Sequence, residues 1–171
     1  MNTLKFEHQL NEDDYAALLV FSVFEKKRFN KVFLLFITPL FGILFLFYFI
    51  FMGEPDFFAI FISSFLVIFG PFFRWLYVYL GKKAYHKSTL LQVKSEIVFS
   101  DKTIEANSER ENSKYFYTDI SNVYETKRHF IIYLGMSHFI GLVKLNMGES
   151  TSDQVRVILQ EKVNEKYIDR S

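Results

Sequence analysis

The chain contains no cysteine. Disulfides, thiolate-ligated metal centres and cysteine nucleophiles are therefore excluded. Proline and glycine are scarce, at 3 and 7 of 171 residues, and no low-complexity linker or internal repeat is visible. Net charge is only +1, from 20 basic and 19 acidic residues, which leaves no overall basic footprint for nucleic acid. No Walker phosphate loop, dinucleotide fingerprint or HExxH helix occurs. The four histidines (His8, His86, His129, His138) include no i, i+4 pair, so no metal or cofactor is expected. Charge is missing altogether from two long stretches, residues 32–52 and 57–73.

What is present is apolar and aromatic. Half of the chain is hydrophobic and 22 residues are Phe, a bias ordinary for a membrane protein and high for a soluble one. As a helix, 32–52 would be roughly 31 Å long, which matches a ~30 Å hydrocarbon core. The second stretch would measure about 25 Å, and it reaches Leu80 if Arg74 extends its guanidinium toward the headgroups. Neither stretch shows the polar face of a soluble core helix. The short break at 53–56, with Glu54, Pro55 and Asp56, then reverses a transmembrane hairpin. A cleaved leader is not expected, because the first apolar run starts at Val32, after Glu7, Glu12, Asp13 and Asp14.

The flanks give a direction. Lys26, Lys27, Arg28 and Lys31 precede the first stretch; Arg74, Lys82 and Lys83 close or follow the second, and the turn holds no basic residue. Basic residues stay on the cytoplasmic side, so both termini are expected there and the turn outside. These cations and Trp75 are the expected membrane-interface anchors, with Tyr77 and Tyr79 in the same aromatic belt. Gly42, Ala59, Ser63, Ser64 and Gly70 are small enough to let two helices approach closely. Neither stretch has an acid, Lys or His at its middle, which argues against a pump or transporter.

The remainder reads as a small α+β domain. Leu4, Phe6, His8 and Leu10 alternate with Lys5, Glu7 and Gln9, a strand period. Asn11 then stands as a helix N-cap ahead of Glu12, Asp13 and Asp14. Composition shifts after Gly81. Residues 90–144 read as short strands with regular turns, an antiparallel meander, and 130–134 is apolar enough for a central strand. From Thr151, the stripe Val155, Ile158, Leu159 and Val163 marks an amphipathic helix that caps the sheet. The expected organisation is a cytosolic strand and helix at 1–31, a two-helix hairpin at 32–80, a linker at 81–89 and a cytosolic sheet domain at 90–171. Whether 4–10 joins that sheet is left open.

Two spans followed by IVFSDKTIEA, then YTDISNVYETKRHFIIYL, then a helix resemble the bacterial YcxB-like family. The residues carrying the likeness are Ile97, Phe99, Asp101, Ile104, Tyr117, Asp119, Ile120, Val123, Glu125 and the run 130–133. The family often has Trp where this chain has Tyr117. The resemblance implies a C-terminal domain similar to pleckstrin-homology folds, a curved antiparallel sheet capped by a helix, in a membrane protein; it implies no reaction.

Chemistry is thinly signalled. Ser137, His138 and Asp119 can be written as a triad, but no nucleophile elbow accompanies them. Lys127, Arg128 and His129 form a basic turn that could meet headgroups or an acidic partner; a solvated hairpin tip explains them as well. The expectation is a non-enzymatic interaction or sensing module at the inner membrane face, with the lipid bilayer and another protein as partners and homo-oligomerisation open. An immunity-type or pore-associated membrane protein is the alternative, and a membrane enzyme ranks below it.

Overall fold

A computed structural model describes residues 3–52, 56–135 and 138–171, leaving aside the side chains of Arg28, Asn30 and Met52. The chain divides into two compact units, Ala16–Ala84 and Met1–Tyr15 with Tyr85–Ser171. Residues 53–55 of the expected turn at 53–56, together with Met136 and Ser137, lie outside the described residues.

The first unit is helical. Helix α1, Glu12–Val20, leads into a π-helical turn, Phe21–Glu25, closed by the Lys26 N–H donating to the Phe21 carbonyl at 2.7 Å. After a bend at Lys26 and Lys27 come α2 (Arg28–Val32), a second π turn (Phe33–Ile37) and α3 (Thr38–Met52). The second π turn has a local cause. Pro39 brings no N–H, and its ring crowds the carbonyl four residues back; widening the preceding turn accommodates both. Helix α4 runs from Phe57 to Lys87 with Pro71 inside it. It passes through Gly81, so the compositional shift there marks no break, and the expected linker is largely helix.

Two helices in this unit are long and apolar enough to cross a membrane, Phe33–Phe51 and Phe57–Lys87, and only 11% of the most apolar window of each is buried. Their mutual contact uses small residues. A Cβ built on Gly42 would lie 2.7 Å from the Ser63 carbonyl oxygen, and one on Gly70 would lie 2.1 Å from that of Leu34. Ser63 is buried and turns its hydroxyl back to the Ala59 carbonyl, so it offers a small surface without a loose polar group. Nearer the end of α4, Gly81 meets Ala16 of α1 in the same way. Large side chains point outward, with Phe51 81% and Phe57 83% exposed.

The second unit contains two four-stranded sheets and a C-terminal helix. Strands β1 (Leu4–His8), β2 (Ser95–Phe99), β3 (Thr103–Ser108) and β4 (Asn112–Phe116) form one antiparallel sheet in that order. The other has the order β7-β6-β5-β8, with β5 Ile120–Glu125, β6 His129–Leu134, β7 His138–Val143 and β8 Tyr167–Asp169. Two features differ from a single antiparallel meander. A short helical turn at Tyr117–Asp119 separates the sheets, and β8 runs parallel to β5. Strand β1 pairs with β2 over its whole length, from Leu4 opposite Phe99 to His8 opposite Ser95. The N-terminal segment is therefore part of this unit rather than of a separate region ending at residue 31.

Helix α5 spans Lys144–Val163 and is kinked at Gly148, where φ is +75°. Strand β7 thus ends at Val143, and the chain turns helical seven residues before the N-cap expected at Thr151. Val155, Leu159 and Val163 bury the expected stripe against Ile97, Phe99, Ile104, Val123, Phe130, Ile132 and Leu142. The Tyr117 side chain joins this core and donates its hydroxyl to the Ser100 carbonyl at 3.2 Å, and burial raises its pKa to about 12.

Candidate functional site

Polar chemistry in the sheet unit concentrates around α5 and the β5–β6 turn. Glu125, at the end of β5, is 2% exposed. The Arg156 guanidinium grips it with Nη2 at 2.8 Å and Nε at 3.0 Å from Oε1, while the Lys144 ammonium and the Tyr167 hydroxyl donate to the same carboxylate. Burial pushes this carboxyl up, but the bonds from Arg156, Lys144 and Tyr167 outweigh it and hold the pKa down at about 2. Hydrogen bonding to Glu125 in turn raises Arg156. One carboxylate thereby ties β5, the start and middle of α5, and β8. This charge pairing joins elements remote in sequence.

A second buried cluster joins the N-terminal segment to the same region. The Asn11 side chain caps α1 by accepting the Asp14 N–H at 2.7 Å. Asp14 itself is 1% exposed, not a solvated first-turn acid. It accepts from His129 Nε2 at 3.0 Å and from Arg128 Nη2 at 3.4 Å. His8 Nε2 accepts the Val143 N–H at 2.9 Å, which fixes its proton on Nδ1 and its ring as neutral. Burial lowers His8 to about 4, partly opposed by Asp14 and reinforced by His129. Burial also lowers His129, against the pull of Asp14.

These ties shape a hollow of about 570 Å³ at the corner where β7 passes into α5, lined chiefly by Lys127, Arg128, Lys144, Gly148, Ser152 and Arg156. Its base is the turn in which the Thr126 N–H donates to the His129 carbonyl at 2.8 Å. Lys127 and Arg128 are exposed there, whereas His129 is 5% exposed and points into the Asp14 cluster. The expected basic triplet thus divides into two surface cations and one interior histidine. Lys144 and Arg156 carry no signal of their own in the sequence; their approach to Arg128 depends on the helical turn after Val143 and on the Gly148 kink.

The other residues that the sequence singles out fall elsewhere. Asp119 and His138 line a shallow hollow with Tyr115 and Gly135, and Ser137 lies outside the described residues. In the helical unit, Arg74 pairs with Glu25 at 3.3 Å. Trp75 is 60% exposed and stacks on Tyr79, while Lys83 sits 6.0 Å from the Tyr79 ring centroid. Lys27 and Lys31 are exposed, and Lys26 and Lys82 are half-buried; the Arg28 side chain is outside the described set. Among the described residues no three His, Asp or Glu side chains converge in a way that could hold a metal ion.

Residues 99–141 match the family model described as YcxB-like protein. The match runs from the last residue of β2 into β7 and so covers the strands that supply Glu125 and the Lys127–Arg128 turn. No curated protein matches the chain.

Proposed function

We propose that this chain is a two-span membrane protein whose sheet unit, similar to pleckstrin-homology folds, is a non-enzymatic interaction module at the cytoplasmic face. One observation carries the reading. Strand β1 lies before the first apolar helix and β2 after the second, yet they pair residue for residue. If both helices cross a bilayer, the segments before and after them must lie on the same side. The basic flanks select the cytoplasm for that side. At 1.5 Å per residue α4 is about 46 Å long, exceeding a ~30 Å hydrocarbon core, so its final turns would stand in the aqueous phase with the sheet unit.

The partner we assign is a protein segment added at a strand edge. The terminal strands of the sheets offer backbone donors and acceptors for such pairing, and an apolar hollow formed by Leu4, Val157 and Ile158 lies beside β1. A photo-crosslinking residue placed at Lys114 on β4, or at Val157 beside β1, tests this in intact cells. Discrete protein adducts from these positions, absent with the same probe at Phe47 on α3, are expected. Adducts from Phe47 alone would place the interaction in the helices and overturn the proposal.

A further inference from the structure

We infer that the corner hollow between the β5–β6 turn and α5 binds a phosphate monoester, free or as a lipid headgroup. The kink at the non-helical Gly148 is followed by a fresh helical run, and Gly148 and Glu149, which begins that run, line the hollow. Gly148 has no side chain with which to cap that run, and a Cβ built there would meet nothing within 4 Å. A helix start of this kind favours an anion. An independent feature points the same way. Ser152, one turn further on, is 6% exposed and lines the hollow, and its hydroxyl makes no hydrogen bond among the described residues. The Ser152 hydroxyl opens on the hollow, where a ligand or solvent oxygen can take its hydrogen bond.

The charges around the hollow decide which cations a ligand can use. Lys144 and Arg156 are committed to Glu125, and Arg156 also to Asp153. Arg128 touches Asp14 only at 3.4 Å and is 67% exposed. Lys127 has no ion pair among the described residues. The ligand-facing cations are therefore Lys127 and Arg128, opposite Ser152 and the helix start. Glu149 and Asp153 also line the hollow and hold affinity down, so a dissociation constant of about 0.1–1 mM is expected. At about 570 Å³ the space exceeds what a bare phosphate needs, leaving room for a glycerol-sized substituent. Exposed Leu145 lies at the same site, suited to the apolar side of such a group.

The test uses the full chain in phosphatidylcholine nanodiscs, with the Gly148 and Ser152 amide resonances as readout. Glycerol 3-phosphate is titrated in one arm; in the other, part of the lipid is replaced by phosphatidic acid. Saturable shifts at both amides are expected in at least one arm. Shifts with the soluble probe alone identify a free phosphate monoester, and shifts with phosphatidic acid alone identify a headgroup. Lys127→Glu should weaken binding about tenfold and Ser152→Ala about threefold, as loss of a charge-assisted and a neutral hydrogen bond implies. No saturable shift in either arm, or unchanged binding in both variants, would overturn the proposal. The soluble arm does not depend on membrane topology or on strand-edge pairing, so its failure leaves the proposed function standing, and the reverse holds too.

Discussion

The two units use the same apolar residue types in opposite senses. In the helical unit Phe51 and Phe57 face outward while Ser63, Gly70 and Gly81 are buried. In the sheet unit Phe99 and Phe130 are buried, and Lys127 and Arg128 face outward. The hydrophobic effect arranges side chains only where water is the alternative environment. Where close backbone approach governs helix association, small residues take the interior. The inversion within one chain is the pattern that the proposed pair of solvents, hydrocarbon for one unit and water for the other, would produce.

The comparison can be broken most forcefully at Glu125. Glu125→Ala strands Lys144 and Arg156 without their carboxylate and should destabilise the sheet unit by about 3–5 kcal/mol. The only tryptophan, Trp75, lies in the helical unit. Its fluorescence transition in denaturant should stay in place while the tyrosine near-ultraviolet dichroism of the sheet unit shifts; coincident shifts would mean that the units unfold as one.

Acid comes next. His8 is lowered in the folded state from 6.5 to about 4, so the unfolded chain takes up the proton first as pH falls. Its contribution is intact above pH 6.5 and is lost as pH drops through about 4, by roughly 3 kcal/mol at most. His129 is lowered as well and adds in the same direction. Glu125 follows in a lower window, its contribution present above its ordinary value of 4.5 and lost toward about 2. Unfolding of the sheet unit measured from pH 7 to 4.5 should show the first loss, and His8→Asn should flatten that slope. An equal slope in the variant would mean that His8 is not the group responsible.

Gly70→Val tests the other interior. The added Cβ would meet the Leu34 carbonyl oxygen at 2.1 Å, and forcing the helices apart should cost about 1–3 kcal/mol, read as an earlier Trp75 transition with the sheet unit unmoved. The smallest effect is expected for Phe51→Ala, within about 0.5 kcal/mol in micelles, because that ring packs on hydrocarbon if the helix spans a bilayer. A loss of several kcal/mol there would show that Phe51 is covered by protein.

Sequence features resolved the local elements and missed the distant partnerships. The alternation from Leu4 to Gln9, the Asn11 cap and the Val155–Leu159–Val163 stripe are local periodicities, and each appears in the structure. Helix α4 outruns the expected boundary at Gly81 because the change there is in composition, from apolar to charged residues, and no proline follows to stop the helix. Strand β8 is only Tyr167–Asp169, too short to show a period, and it is held by a parallel partner more than forty residues away. Asp14 and His129 carried ordinary surface signatures; only the meeting of the N-terminal segment with β6 buries them. Glu125 belonged to the family-like run, but its three partners lie beyond it, at Lys144, Arg156 and Tyr167.

The central claim is that both apolar helices cross a bilayer with the 53–56 turn outside and the sheet unit inside. Because the chain lacks cysteine, single-cysteine labelling has no background from the protein itself. Asp56→Cys should react with a membrane-impermeant maleimide in intact cells, and Glu109→Cys, in the β3–β4 turn, only after lysis. Labelling of Glu109→Cys in intact cells, or silence of Asp56→Cys until lysis, would contradict the account.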